Sequence, residues 1–340
     1  MSSRSLTVVI PAYNAASSIG PTLDALIEAL AAVSSFVAEI VLVDDGSTDG
    51  TAASATAAVA ERVPLHVISQ PNRGRFEARR AGLAAATNDW VLLLDSRVIL
   101  HPGSLSFLAE RLDAGERVWN GHVEVLTDGN PYAAFGKAVV AVAWREYFRA
   151  PRTTSFGIED FDRYPKGTTC FFAPRSLLVD AVAGSHTTYT SDPRLMNDDT
   201  PVLRWIAARE RIHISPAFSC DYEARSTLRS FVGHSFHRGT VFVDGHLRSE
   251  SRFFWGAVAF YPLSLLFLAT ALRRPRVAAT AAVAGSLTAG GLAAANGCTA
   301  SEARATALLA PVYGVAHGAG MWRGLALACL PRICGLRRPA

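Results

Sequence analysis

Lysine is nearly missing from this chain. Lys137 and Lys166 are the only two among 33 basic residues, so arginine carries almost all the positive charge. No stretch interleaves those arginines with aromatic side chains, and the net charge is a modest +4, which argues against a nucleic-acid-binding surface. Cysteine is sparse and odd in number: Cys170, Cys220, Cys298, Cys329 and Cys334 form no CxxC pair, and no histidine cluster lies at zinc spacing. A disulfide framework is not expected, and a reduced, cytoplasmic setting for the folded part is. Phosphate-binding glycine signatures are missing as well, since neither a Walker loop nor G-x-G-x-x-G occurs. Gly233-His234-Ser235-Phe236-His237 lacks the second glycine of a hydrolase elbow, so Ser235 is not read as a nucleophile. The sequence has no internal repeat and no low-complexity linker.

What is abundant is apolar residues, at 50% of the chain with a mean hydropathy of +0.20. They are unevenly spread. Residues 1–250 read as one mixed globular domain, and residues 251–340 as an apolar helical, membrane-associated region. Within the first part, β-branched runs alternate with helical periodicity. Residues 6–10 form an apolar run stopped by Pro11, and the opening MSSRSLTVVIPAYN reads as a strand rather than a signal peptide. Further strands are expected at 39–43, 65–69 and 90–94, with helices at 18–33, 48–60 and 76–86. This alternation predicts an α/β fold with a doubly wound, mostly parallel sheet. Beyond it, strands are expected at 118–126 and 168–172 and helices at 132–149 and 198–209, the last with Asn197 or Asp198 near its N-cap.

Ligands of open α/β sheets bind outside the carboxyl ends of the strands. Asp44, Asp45 and Asp95 are placed at such ends, and the loop Asn72-Arg73-Gly74-Arg75 follows the third strand. Acidic and glycine residues therefore gather on one edge.

The ordered segments VVIPAYNA, VLVDDGSTDGT, NRGRFEARRAG and VLLLDSR resemble those of the family 2 glycosyltransferases with the GT-A fold. The resemblance runs over residues 6–97 and more loosely to about residue 240. It implies an inverting transferase that moves a sugar from a nucleotide-diphosphate donor to a cell-envelope glycan or lipid-linked acceptor. By that resemblance Asp44 or Asp45 contacts the nucleoside, and Pro11, Ala12 and Tyr13 line its pocket. Arg75, Arg79 or Arg80 could steady the diphosphate bidentately, with Arg79 favoured. Asp49 is read as a plain helix-start residue.

Asp95-Ser96-Arg97 stands where the family carries Asp-x-Asp, the motif that places a divalent ion on the two phosphates. Mg²⁺ or Mn²⁺ on Asp95 is the expectation carried over, since hard oxygen ligands suit these ions. Arg97 replaces the second acid. Either Asp95 retains a metal with the phosphates and another ligand, or Arg97 neutralises the leaving group itself. Asn197-Asp198-Asp199-Thr200 resembles the family's acidic motif at a helix start. Asp199, with Asp198 before it, is the candidate general base that deprotonates the acceptor hydroxyl. The competing reading makes both acids simple complements to a helix dipole. Residues 229–239 resemble a segment that supplies a basic group to the diphosphate, here Arg238 or His237. The 166–169 loop resembles an acceptor-side loop.

Residues 253–272 carry no charge between Arg252 and Arg273-Arg274, enough to span a bilayer. Residues 277–300 are uncharged but rich in Ala and Gly. Residues 305–330 contain Pro311, His317 and Arg323 and fit an interfacial helix. A buried helical subdomain is the plainer alternative for all three. The expected location is a bacterial-type cell membrane with the catalytic domain cytoplasmic. A spanning first segment would then put Arg273, Arg274 and Arg276 outside, against the positive-inside tendency, which a re-entrant hairpin avoids. A second functional reading keeps nucleotide-sugar binding without catalysis, as a membrane sensor or scaffold, on the strength of Arg97.

Overall fold

The computed structural model describes residues 3–185, 189, 192–197 and 199–333. The chain opens as β1 (Arg4–Ala12), α1 (Ile19–Ala31), β2 (Phe36–Asp44), α2 (Thr51–Val59), β3 (Leu65–Ser69), α3 (Arg75–Ala85) and β4 (Trp90–Leu94). It continues through β5 (Val98–Leu100), α4 (Ser104–Asp113), β6 (Trp119–Leu126), α5 (Pro131–Ala143), α6 (Arg145–Phe148), β7 (Thr154–Phe156), β8 (Cys170–Pro174) and α7 (Arg175–Ala183). The last elements are α8 (Thr200–Ala207), β9 (Ile212–Glu223), α9 (Leu228–His246), α10 (Phe254–Arg273), α11 (Pro275–Ala295) and α12 (Ala300–Ile333).

One mixed sheet runs β3-β2-β1-β4-β8-β6-β9-β5, with β7 also on β9. The first four strands are parallel neighbours, as their alternation with helices predicts. Their apolar runs are continuous because the two faces bury against different layers. Leu6, Val8, Ile10, Leu42 and Leu92 join one core with α1 and α4, while Val9, Val41, Val43, Val91 and Leu93 join the other with α3, α7 and α8. Gly82 lets α3 sit on the sheet: a Cβ there would lie 2.3 Å from Val9 Cγ1.

The second half departs from simple alternation. β8, expected only as a strand, is antiparallel to both β4 and β6, so β6 and β9 again run with β4. The strands β5, β7 and β9 were not read from the sequence. β9 carries Pro216, which cannot donate a ladder bond. The structure places it in an irregularity where Gly121 pairs Ser215 but His122 pairs Ser219. The single helix expected at 132–149 is divided into α5 and α6 at Trp144.

This topology has a direct consequence. The carboxyl ends of β1, β2, β3, β4, β6 and β9, and the entry to β8, share one rim.

Beyond β9, α10 and α11 are long and apolar enough to cross a membrane, with mean hydropathies of 1.7 and 1.5. Their outward side chains include Trp255, Leu263, Leu266 and Leu272. α12 is one continuous 34-residue helix in which Pro311 makes no break. It packs on α9 through glycines: a Cβ on Gly239 would lie 2.0 Å from the His317 carbonyl oxygen, and one on Gly320 2.0 Å from that of Phe236. Lys137 on α5 and Glu302 on α12 form an ion pair at 3.2 Å.

Candidate active site

Strand β2 ends at Asp44 and hands Asp45 to the rim. Asp44 Oδ1 accepts from Ser47 N at 2.9 Å, closing the turn through Gly46, whose φ of +79° suits glycine. Asp45 is buried and its carboxylate is heavily used. Oδ1 accepts from Gln70 Nε2 at 2.7 Å and Arg73 N at 2.9 Å, and Oδ2 accepts from Gly74 N at 2.8 Å. It therefore fixes the 70–74 loop that leads into α3. Of the two acids offered for nucleoside contact, Asp44 keeps more of its carboxylate uncommitted. Pro11 and Ala12 are buried beside it, and Tyr13 projects with 53% of its surface exposed.

Asp49 joins two loops. Its Oδ2 accepts from Ala16 N at 3.0 Å and its Oδ1 from Thr51 Oγ1 at 2.5 Å, the largest cause holding its carboxyl below the usual range. The helix-start reading thus understates it.

Asp95 follows β4. Its amide donates to the Thr169 carbonyl at 2.8 Å, and its Oδ1 accepts from Arg79 Nη2 at 2.6 Å. Arg79 is 4% exposed, so this is a buried ion pair between α3 and the strand end. The arginine favoured for the diphosphate is placed behind the motif acid. Arg97 faces a cleft of about 500 Å³ shared with Ser17, Asp128, Asn130, Glu223 and Arg225. Arg80 lies on Glu77.

Asp199 is the N-cap of α8, its Oδ1 accepting from Thr200 N at 2.5 Å. The cap is thus one residue beyond the two positions expected. Asn197 Oδ1 also accepts from Thr200 N, at 3.0 Å. The second oxygen, Oδ2, faces Gly167, where an added Cβ would lie 3.8 Å away. Asp199 and Asp95 accordingly flank the same 167–169 loop. Asp198 lies outside the described residues.

Two supports of this corner escaped the sequence reading. Asp244, fully buried on α9, accepts from Asn197 N at 3.0 Å, and Gly245 leaves room for the Asn197 side chain. Beneath the loop, Asp162 takes Arg204 at 3.4 Å and Lys166 at 3.6 Å. Burial opposes the Asp162 charge, yet Lys166, the Arg252 amide and Arg204 hold its carboxyl below the usual range. Burial likewise pushes Lys166 down to about 8 against the pull of Asp162.

Arg97 and Arg225 line the cleft together. Partial desolvation, with Arg97 and Arg75 close by, lowers the Arg225 guanidinium from its ordinary value. Burial, followed by Arg238, Arg225 and Arg75, lowers His234 to about 2. Arg238, proposed from the sequence, therefore stands in this group. Arg225, just before the Thr227 N-cap of α9, was not foreseen.

The residues present do not fit the divalent ion that Asp-x-Asp would hold. Asp95 Oδ1 is taken by Arg79, position 97 is a cation, and the described residues hold no group of three or more His, Cys, Asp or Glu suited to a metal.

Residues 7–173 match the family model described as Glycosyl transferase family 2, and the chain belongs to that family. Among its relatives, the succinoglycan biosynthesis protein ExoO of Rhizobium meliloti (strain 1021) is 36% identical over 138 residues, 40% of this chain and 38% of that protein. An undecaprenyl-phosphate 4-deoxy-4-formamido-L-arabinose transferase of Klebsiella pneumoniae (strain 342) is 29% identical over 198 residues, 57% of this chain and 56% of its own length. The chain thus matches about half the length of these relatives or less. The crystal structure of S. aureus TarS 1–349 with UDP-GlcNAc has a TM-score of 0.51 at 16% identity, covering 97% of this chain and 92% of that one. That likeness bears on the fold.

Proposed function

We propose that this chain is an inverting glycosyltransferase that takes a sugar from a nucleotide-diphosphate donor and passes it to a lipid-linked or glycan acceptor at a membrane. The observation that carries the reading is the shared rim. Asp44, the Asp95–Arg97 turn, the 167–169 loop and Asp199 meet outside the same strand ends, joined by the Asp95–Thr169 bond and the Asp199–Gly167 approach. Named relatives that act on undecaprenyl-phosphate, together with α10 and α11, support a lipid-linked acceptor.

In this reading Pro11, Ala12, Tyr13 and Asp44 receive the nucleoside, and the arginines face the diphosphate. The acceptor hydroxyl attacks the anomeric carbon from the side opposite the diphosphate. Asp199 Oδ2 takes its proton as the new C–O bond forms. The bond to the phosphate oxygen breaks with its electron pair, and a nucleoside diphosphate leaves. Oδ1 stays on the α8 cap and keeps the carboxylate oriented. Concerted attack from behind inverts the anomeric centre.

The test is a screen of purified protein against nucleotide sugars with a polyprenyl-diphosphate-linked sugar as acceptor, which offers a hydroxyl, reading nucleotide release and product configuration by NMR. Asp199→Asn should lower turnover by about 10²–10⁴-fold while donor affinity holds. Retained configuration would remove the inverting step. Donor binding without turnover in the native chain would favour the sensor or scaffold reading, which the pairing of Asp95 with Arg79 supports.

A further inference from the structure

We propose that this chain grips its nucleoside diphosphate with arginines in place of a divalent ion: Arg97 where the motif's second acid would be, with Arg225 beside it on the same cleft. The inference rests on the glycosyltransferase reading above and specifies how the leaving group is held.

Three observations carry it. First, Asp95 Oδ1 is taken by the buried Arg79 at 2.6 Å and position 97 is a cation, so the motif offers one carboxylate oxygen to an ion that takes about six oxygen ligands. Second, the strand register fixes Arg97 and Arg225 on one cleft. Val98 pairs Tyr222, the Glu223 amide donates to the Arg97 carbonyl at 3.0 Å, and both arginines line the space of about 500 Å³. Neither Arg97, Arg225 nor Arg238 has a carboxylate within 4.0 Å among the described residues. Third, the N-terminus of the 19-residue helix α9 opens onto this cleft through Thr227 and Ser230, adding the positive end of a helix dipole.

Guanidinium groups gathered on one cleft repel one another until an anion arrives; burial is the first cause that lowers the Arg225 guanidinium and His234 from their ordinary values, and the neighbouring arginines add to it. Guanidinium forks match phosphate oxygens bidentately, so they can neutralise the charge that develops on a departing diphosphate. Asp128 and Glu223 line the same cleft. As acceptors they suit sugar hydroxyls rather than phosphate.

The experiment is calorimetric titration of the full chain with UDP, GDP, UMP and GMP, in EDTA and in Mn²⁺. The expected result is diphosphate binding that EDTA leaves unchanged. Arg97→Ala and Arg225→Ala should each weaken it by about tenfold while monophosphate affinity changes little, as expected for loss of one charge-assisted contact. Arg97→Asp, which restores the acid, should make binding depend on Mn²⁺. Thermal unfolding of each variant checks that the fold survives. Diphosphate binding that EDTA abolishes and Mn²⁺ restores in the native chain would overturn the proposal and leave the transferase reading standing. Failure of every nucleotide to bind in both media would sink the transferase reading as well.

Discussion

At the scale of single residues, the acids of the rim divide into those that hold the protein and those that face the ligand. Asp45 belongs to the first kind, with three donors on one buried carboxylate. Asp45→Ala strands those donors and should cost about 2–4 kcal/mol in urea unfolding. An unchanged midpoint would mean that the 70–74 loop is held by something else. The histidines give a pH signature. His246 is lowered to about 4 and His234 to about 2, chiefly by burial, so both fold in the neutral form. An unfolded histidine takes up a proton near 6.5 and the folded one does not, so stability is lost as pH falls. Between pH 6.5 and 4 each contributes a loss approaching about 1.4 kcal/mol per pH unit, and His246→Phe should flatten that slope in denaturation series. Asp44, Asp45 and Asp95 could be placed from sequence because apolar runs stop beside them. The Arg79–Asp95 pair could not, since it joins a helix face to a strand end 16 residues away. Asp244 was hidden for the same reason: its partner Asn197 is 47 residues distant and nothing local marks the bond.

At the scale of elements, α9 is the piece on which the candidate site turns. One end brings Thr227 and Ser230 to the cleft, the middle carries His234 and Arg238, and the other end anchors Asn197 through Asp244. Its seat on α12 depends on Gly239 and Gly320, where backbones approach too closely for a side chain. Gly320→Leu should overpack this crossing, lowering stability by about 1–3 kcal/mol in thermal or urea unfolding and reducing nucleotide release. Loss of stability with full turnover would separate α9 from the chemistry. The parallel half of the sheet was legible because each βαβ unit keeps its own period of apolar residues. The antiparallel half was not, because β5, β7 and β9 pair across long separations, and Pro216 interrupts the pattern by which β9 would be recognised.

At the scale of the molecule, α10 and α11 present apolar surface that the rest of the chain leaves uncovered, with Leu266, Leu268 and Leu272 more than half exposed. A bilayer would bury it. Co-flotation with phospholipid vesicles should retain the native chain, and Leu266→Glu with Leu268→Glu should reduce recovery, because each charge costs about 2–4 kcal/mol at membrane depth. Equal recovery of both proteins would assign this surface to another partner. α12, for which the sequence leaves an interfacial helix or a buried helical subdomain open, has its glycine face taken up by α9. The central claim is that one rim both receives the diphosphate and presents the base. A crystal structure of the chain with a nucleotide sugar tests it most directly. The account predicts the diphosphate between Arg97 and Arg225, with Asp199 Oδ2 open toward the anomeric carbon. A nucleotide seated elsewhere, or Asp199 turned away from the sugar, would contradict it.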